Sequence, residues 1–172
     1  MSLPDRGKLG AATIATLGEV AATYILPRFK NLAEGDVRSK THPGDLVTVA
    51  DLESERALTR LLPALLPGSC VIGEEAVSAD AAVLDRLAGA VPVWIVDPID
   101  GTSNFVEGSA RFAVIIALVH RGETLMGWIH DPVTGQTLWA EKGAGAWLDQ
   151  GGLERAESQP SRMRLPQLTI DA

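Results

Sequence analysis

The residues of this 172-residue chain best suited to chemistry are carboxylates that end apolar runs. Asp51 follows Val47-Thr48-Val49-Ala50, Glu74 and Glu75 follow Val71-Ile72-Gly73, and Asp97, with Asp100 beyond it, follows Val93-Trp94-Ile95-Val96. If the runs are strands, the acids emerge where a sheet meets a loop, a common place for function. No histidine or cysteine accompanies them, and an oxygen-only donor set selects hard cations such as Mg2+, Mn2+ or Ca2+ over Zn2+. His42, His120 and His130 are scattered and read as local hydrogen-bonding groups. Cys70, the only cysteine, reads as a small buried hydrophobe in an apolar run.

The run Asp97-Pro98-Ile99-Asp100-Gly101-Thr102 has a mechanical reading. Pro98 has a fixed φ and no amide donor, so it sets the direction of the loop and lets the Ile99 carbonyl turn toward a cation flanked by Asp97 and Asp100. Gly101 permits close backbone approach, and a helix starting at Thr102 or Ser103 would point its unpaired amides at an anion. Each cluster also has a plain alternative. Asp-Pro and Asp-Gly are ordinary turn dipeptides; Glu74-Glu75 could be a solvated strand end; and Asp51, with Glu53 and Glu55, could simply cap a helix and complement its dipole. Asp131-Pro132 lacks a second acid and reads as a hairpin turn.

The elements that must hold these acids follow from periodicity. Ile14, Leu17, Ala21, Tyr24 and Ile25 share one face of a helix over residues 9–29. Residues 30–45 are polar and read as a loop leading to a short extended stretch at 46–49. A second helix starts near Leu52, with Pro63 expected to kink it or end it early, and residues 79–88 suit a third, short helix. Strand-like runs occur at 70–72, 91–96, 113–119, 124–129 and 137–140; the last four are spaced for an antiparallel meander. Beyond Trp147 a turn and a polar stretch follow, and residues 168–170 could begin another strand. Helices followed by a hairpin-built sheet make an α+β arrangement, and the length suits one domain over residues 1–172.

The net charge of −7 and pI near 4.9 argue against nucleic-acid binding, which needs clustered Lys and Arg. No stretch reaches the roughly 18 apolar residues needed to cross a bilayer, and no signal segment is recognisable, so a cytoplasmic protein without a membrane partner is expected.

Four segments in this order resemble the inositol monophosphatase family: Lys40-Thr41-His42-Pro43-Gly44-Asp45-Leu46-Val47-Thr48-Val49-Ala50-Asp51, Ile72-Gly73-Glu74-Glu75, Trp94-Ile95-Val96-Asp97-Pro98-Ile99-Asp100-Gly101-Thr102-Ser103-Asn104-Phe105, and Ala140-Glu141-Lys142-Gly143-Ala144-Gly145-Ala146. The resemblance implies the first half of that family's layered αβαβα sandwich, with helices packed on an antiparallel sheet. It implies that Glu74, Asp97 and the main-chain carbonyl of Ile99 hold one Mg2+, and that Asp97 and Asp100 hold another, within a set of two or three ions for which Mn2+ is an alternative. Glu75 and Lys40 would support this set from behind. Asp51 and the Thr102 hydroxyl would position and deprotonate the attacking water, while Asp100 and the Gly101 and Thr102 amides would bind phosphate. The chemistry is coherent: cations offset the charge of a phosphate monoester and of its leaving oxygen.

The resemblance further implies a small phosphorylated metabolite as substrate, inositol monophosphate or a related ester, inhibition by Li+, and a homodimer. Related families act on sugar bisphosphates, histidinol phosphate or 3′-phosphoadenosine nucleotides, and a non-catalytic metal- or phosphate-binding relative is the alternative of a different class. No tryptophan-aspartate-small-small-glycine pattern follows Trp147, so a further metal-binding aspartate and the substrate-selecting wall are expected to lie outside this chain. The chain alone is therefore expected to bind the first metal, to turn over esters poorly, and to expose apolar surface.

Overall fold

The structure, a computed structural model, describes residues 5–40, 42, 44–151 and the backbone of 161–162. Helix α1 (Arg6–Val20) starts where Asp5 accepts the amides of Gly7 and Lys8, and buries Leu9, Ile14, Leu17 and Val20. A π-turn, Ala21–Ile25, extends it. The polar stretch that follows is not all loop: Val37–Ser39 (β1) pairs antiparallel with Leu46–Thr48 (β2). This small hairpin carries Lys40 at its end, where the Lys40 amide donates to the Asp45 carbonyl.

Helix α2 (Val49–Leu65) begins three residues before the expected start near Leu52, because Thr48 and Asp51 form a reciprocal capping box there. Pro63 lies inside the last turn, and the helix ends two residues later. Strand β3 (Cys70–Gly73) runs into α3 (Glu74–Ala79), a helix that strand-like reading of the acids does not anticipate. Residues Ala81–Ala88 form a 3-10 segment rather than an α-helix. Cys70, at the open end of β3, is only partly buried, because the strand's first residue lies at the sheet margin.

Strand β4 (Val93–Asp100), the short helix α4 (Thr102–Val106), then β5 (Ala113–His120), β6 (Glu123–His130), β7 (Thr137–Glu141), β8 (Gly145–Asp149) and β9 (Ser161–Arg162) complete the order. The seven-stranded sheet runs β3-β4-β5-β6-β7-β8-β9. The expected antiparallel meander is present from β4 through β7, and β8 and β9 extend it. Only β3 joins in parallel, because α3 and the 3-10 segment carry the chain back before β4. Strand β8 escaped the sequence reading because its five half-buried residues lack a clean apolar alternation. The strand anticipated at 168–170 lies outside the described residues.

One sheet face packs on α1 and α2. Trp94, Val96, Val114, Ile116, Leu118, Met126 and Trp128 meet Leu17, Leu58 and Leu62 there, and the Trp94 and Trp128 rings stand 5.7 Å apart. The opposite face is apolar too: Ile95 is 37% and Ile129 46% exposed. Strands that are apolar on both faces belong to sheets covered on both sides.

Candidate active site

Strand β4 delivers the acidic loop. Its pairing to β5 is regular up to Asp97 and resumes at Asp100, and the irregularity falls at Pro98, which has no amide to give the ladder. The Asp-Pro-Ile-Asp run is thus the end of a strand rather than a free turn. Ile99 buries its side chain at 1% exposure, which leaves only its carbonyl for the site. Gly101 then takes a left-handed conformation (φ 91°, ψ 38°) and α4 starts at Thr102. Phe105 on α4 packs with Phe29 and Phe112, centroids 5.7 and 5.0 Å away, and this aromatic cluster pins the short helix down.

Asp51 is fully buried and makes two sets of bonds. Its Oδ2 accepts the Thr48 amide (2.8 Å) and the Thr48 hydroxyl, completing the helix cap, while its Oδ1 faces the Thr102 hydroxyl at 3.1 Å. That hydroxyl also lies 3.0 Å from the Ile99 carbonyl, so its single proton has two acceptors. Burial raises the Asp51 pKa, and the bonds from Thr48 and Thr102 oppose the rise without cancelling it.

Glu74 and Glu75 form the first turn of α3, with Lys40 between them: its Nζ lies 2.7 Å from Glu74 Oε1 and 3.0 Å from Glu75 Oε1. Burial alone would lower the Lys40 pKa, but the bonds and charges of Glu74 and Glu75 outweigh it and hold the ammonium protonated. Burial raises Glu75, against the pull of Lys40. Asp97 is pushed up to about 7, first by burial, then by the Glu74 charge and a hydrogen bond with it, then by Asp100.

These facts test whether a divalent cation suits the site. The donors are oxygens, Asp97 Oδ1 is buried with no hydrogen-bond partner, and the repulsion that holds a proton on Asp97 is what a cation relieves. As they stand, the described residues contain no group of three His, Cys, Asp or Glu side chains that could hold a metal ion. The acids thus fit a cation in donor chemistry, while the Glu74 carboxylate is turned to Lys40.

Thus Lys40, Glu74, Glu75, Asp97 and Asp100 converge, and Asp51, Ile99, Gly101 and Thr102 adjoin them. The histidines are engaged elsewhere: His42 with the Gly44 amide, His120 with the Ala90 carbonyl, His130 with Thr137. Asp131 does shape a hairpin turn, accepting the Val133 and Thr134 amides, but it also lines a groove of about 440 Å3 with Asp100, Gly101, Asn104, Arg111 and Phe112. Glu55 is the residue that sequence reasoning misplaced. It does not complement its own helix dipole; it is buried and accepts the amides of Glu75 (2.7 Å) and Ala76 (2.9 Å). Its four-residue spacing from Asp51, which puts both acids on one helix face, is the signal that could have found it. Glu53, by contrast, pairs with Arg28 at 2.7 Å.

This arrangement has relatives. A fructose-1,6-bisphosphatase/inositol-1-monophosphatase of Thermotoga maritima is 37% identical over 114 residues, covering 66% of this chain and 41% of that protein. An inositol-1-monophosphatase of Caulobacter vibrioides is 40% identical over 111 residues, covering 64% and 41%. The solved structure of a Thermotoga maritima IMPase superposes with a TM-score of 0.69 at 28% identity, covering 91% of this chain and 53% of that one. The chain thus spans about half the length of the proteins it matches, or less. The model of the inositol monophosphatase family matches residues 9–169, which take in every acid of the site, and the chain belongs to that family.

Proposed function

We propose that this chain supplies the cation-binding part of a phosphomonoesterase site that hydrolyses inositol monophosphate or a similar small phosphate ester. One observation carries the reading: the Thr102–Asp51 hydroxyl–carboxylate pair stands beside an acidic cluster whose buried Asp97 oxygen has no partner. Glu74, Asp97, Asp100 and the Ile99 carbonyl would hold Mg2+, or Mn2+ in its place, as two or three ions. Such ions supply positive charge against the phosphate and the leaving oxygen.

The chain's own groups would do the rest. Asp51, made more basic by burial, takes the proton of the Thr102 hydroxyl as that oxygen takes one from the attacking water, so the pair both orients and deprotonates. The Gly101 and Thr102 amides would hold phosphate oxygens, and the groove beside Asp100 has room for the alcohol. Lys40 and Glu75 would keep the Glu74 side of the site in register. The apolar open face of the sheet supports a homodimer or another covering layer, the family likeness supports sensitivity to Li+, and the composition supports a cytoplasmic setting. Among the described residues no helix is long and apolar enough to cross a membrane.

Calorimetric Mg2+ titration together with phosphate release from inositol 1-phosphate tests this. Mg2+ should bind the chain, Asp97→Asn should abolish binding, and Asp51→Asn should spare binding while removing whatever slow release the chain supports. Absence of binding at millimolar Mg2+, or release indifferent to Asp97→Asn, would sink the reading. Binding with no release from any longer form that contains this chain would favour a non-catalytic module.

A further inference from the structure

Helix α3, which carries Glu74 and Glu75, has Gly73 at its N-cap and no capping side chain of its own. A carboxylate from another helix meets its first amides instead. Glu55 reaches across from α2 to accept Glu75 N–H at 2.7 Å and Ala76 N–H at 2.9 Å. The fit depends on glycine at position 73, where a Cβ would stand 2.1 Å from Glu55 Cδ, in the space the carboxylate fills. One turn back on α2, Asp51 holds the Thr102 hydroxyl. A single helix face therefore grips both sides of the acidic site.

We propose that Glu55 is a positioning residue for this site: by capping α3 from α2, it fixes where Glu74 stands relative to Asp97 and to the Asp51–Thr102 pair. Glu74 is the first residue of α3, so its placement follows the backbone of a turn that frays when its amides have no acceptor. The two bonds from Glu55 replace the missing local cap. The inference rests on the reading that these acids take up a divalent cation.

The test is Mg2+ titration calorimetry on the whole chain, with urea unfolding of the same proteins. Glu55→Gln preserves size but sets an amide donor against a backbone N–H; it should weaken Mg2+ binding by about tenfold or more, the usual cost of losing a group that orients a ligand. Leu17→Ala, in the core on α1, is the control: it should lose at least as much stability, yet keep its Mg2+ affinity within about twofold. Gly73→Ala reaches the same cap from the other side, so it should reproduce the weakened binding, and the double variant should be no worse than either single one. It also stands in if Glu55→Gln fails to fold. Wild-type affinity in a folded Glu55→Gln or Gly73→Ala chain, or an equal loss in Leu17→Ala, would overturn the inference. A wild-type chain that binds no Mg2+ would remove the functional reading with it, whereas a binding wild type with an equally binding Glu55→Gln removes this inference alone.

Discussion

Replacing Gly101 by alanine tests the geometry of the acidic loop with one methyl group. Gly101 sits at φ 91°, and a Cβ built there would lie 2.8 Å from the Arg111 carbonyl oxygen, a backbone atom that cannot rotate away. The left-handed conformation costs a side chain about 1–2 kcal/mol, and forcing a methyl into filled space adds about 1–3 kcal/mol, so Gly101→Ala should lose roughly 2–5 kcal/mol. Gly122 provides the comparison: at φ 77° it has nothing within 4 Å of its Cβ position, so Gly122→Ala should lose only the conformational cost of about 1–2 kcal/mol. Urea unfolding followed by circular dichroism measures both. With a slope of about 1–3 kcal/mol per molar, the two midpoints should differ by on the order of 1 M. Because Asp100 and Thr102 flank the displaced residue, Gly101→Ala should also weaken Mg2+ binding, and Gly122→Ala should not. Coincident midpoints would show that the Arg111 carbonyl does not pack on Gly101, and the account of how the loop is held would fail.

Thr102→Val keeps the shape of the side chain but leaves buried Asp51 Oδ1 without its hydroxyl partner. It should cost about 1–3 kcal/mol in urea unfolding and reduce phosphate release with little change in the Mg2+ titration; undiminished release would remove Thr102 from the chemistry. The Asp97 pKa of about 7, against an ordinary 3.8, means that the folded chain holds this proton more tightly than the unfolded chain. With metal removed, the Asp97 contribution to stability should be most favourable below the ordinary value, decline as pH rises toward about 7, and then level off. Unfolding in a chelator at about pH 5 and about pH 8 should show this decline in the native chain and a flatter profile in Asp97→Asn, and equal profiles would refute the assigned environment. Mg2+ affinity should rise across the same window, since the cation must displace the proton.

What the sequence determined by itself was chemistry and local form. Oxygen donors without His or Cys point to a hard cation whatever the fold, Pro98 must break a ladder, and Gly101 must sit where side chains are unwelcome. The runs that became β4 to β7 could be read because they are short, rich in β-branched and aromatic residues, and bounded by turn signals. Asp51, Glu74, Asp97, Asp100 and Thr102 could be singled out because each follows or ends such a run. Tertiary structure decided what depends on partners distant in the chain. That β3 lies parallel to β4, that Glu74 and Glu75 open a helix, and that Lys40 reaches them across 34 and 35 residues cannot be read from local periodicity. Nor can the two roles of Asp51, whose cap is local while its bond to Thr102 spans 51 residues. Glu55 is the clearest case. As a residue of α2 it is one more acid near a helix start; only when β3 brings the amides of α3 to within 2.9 Å of it does its burial acquire a partner and a purpose.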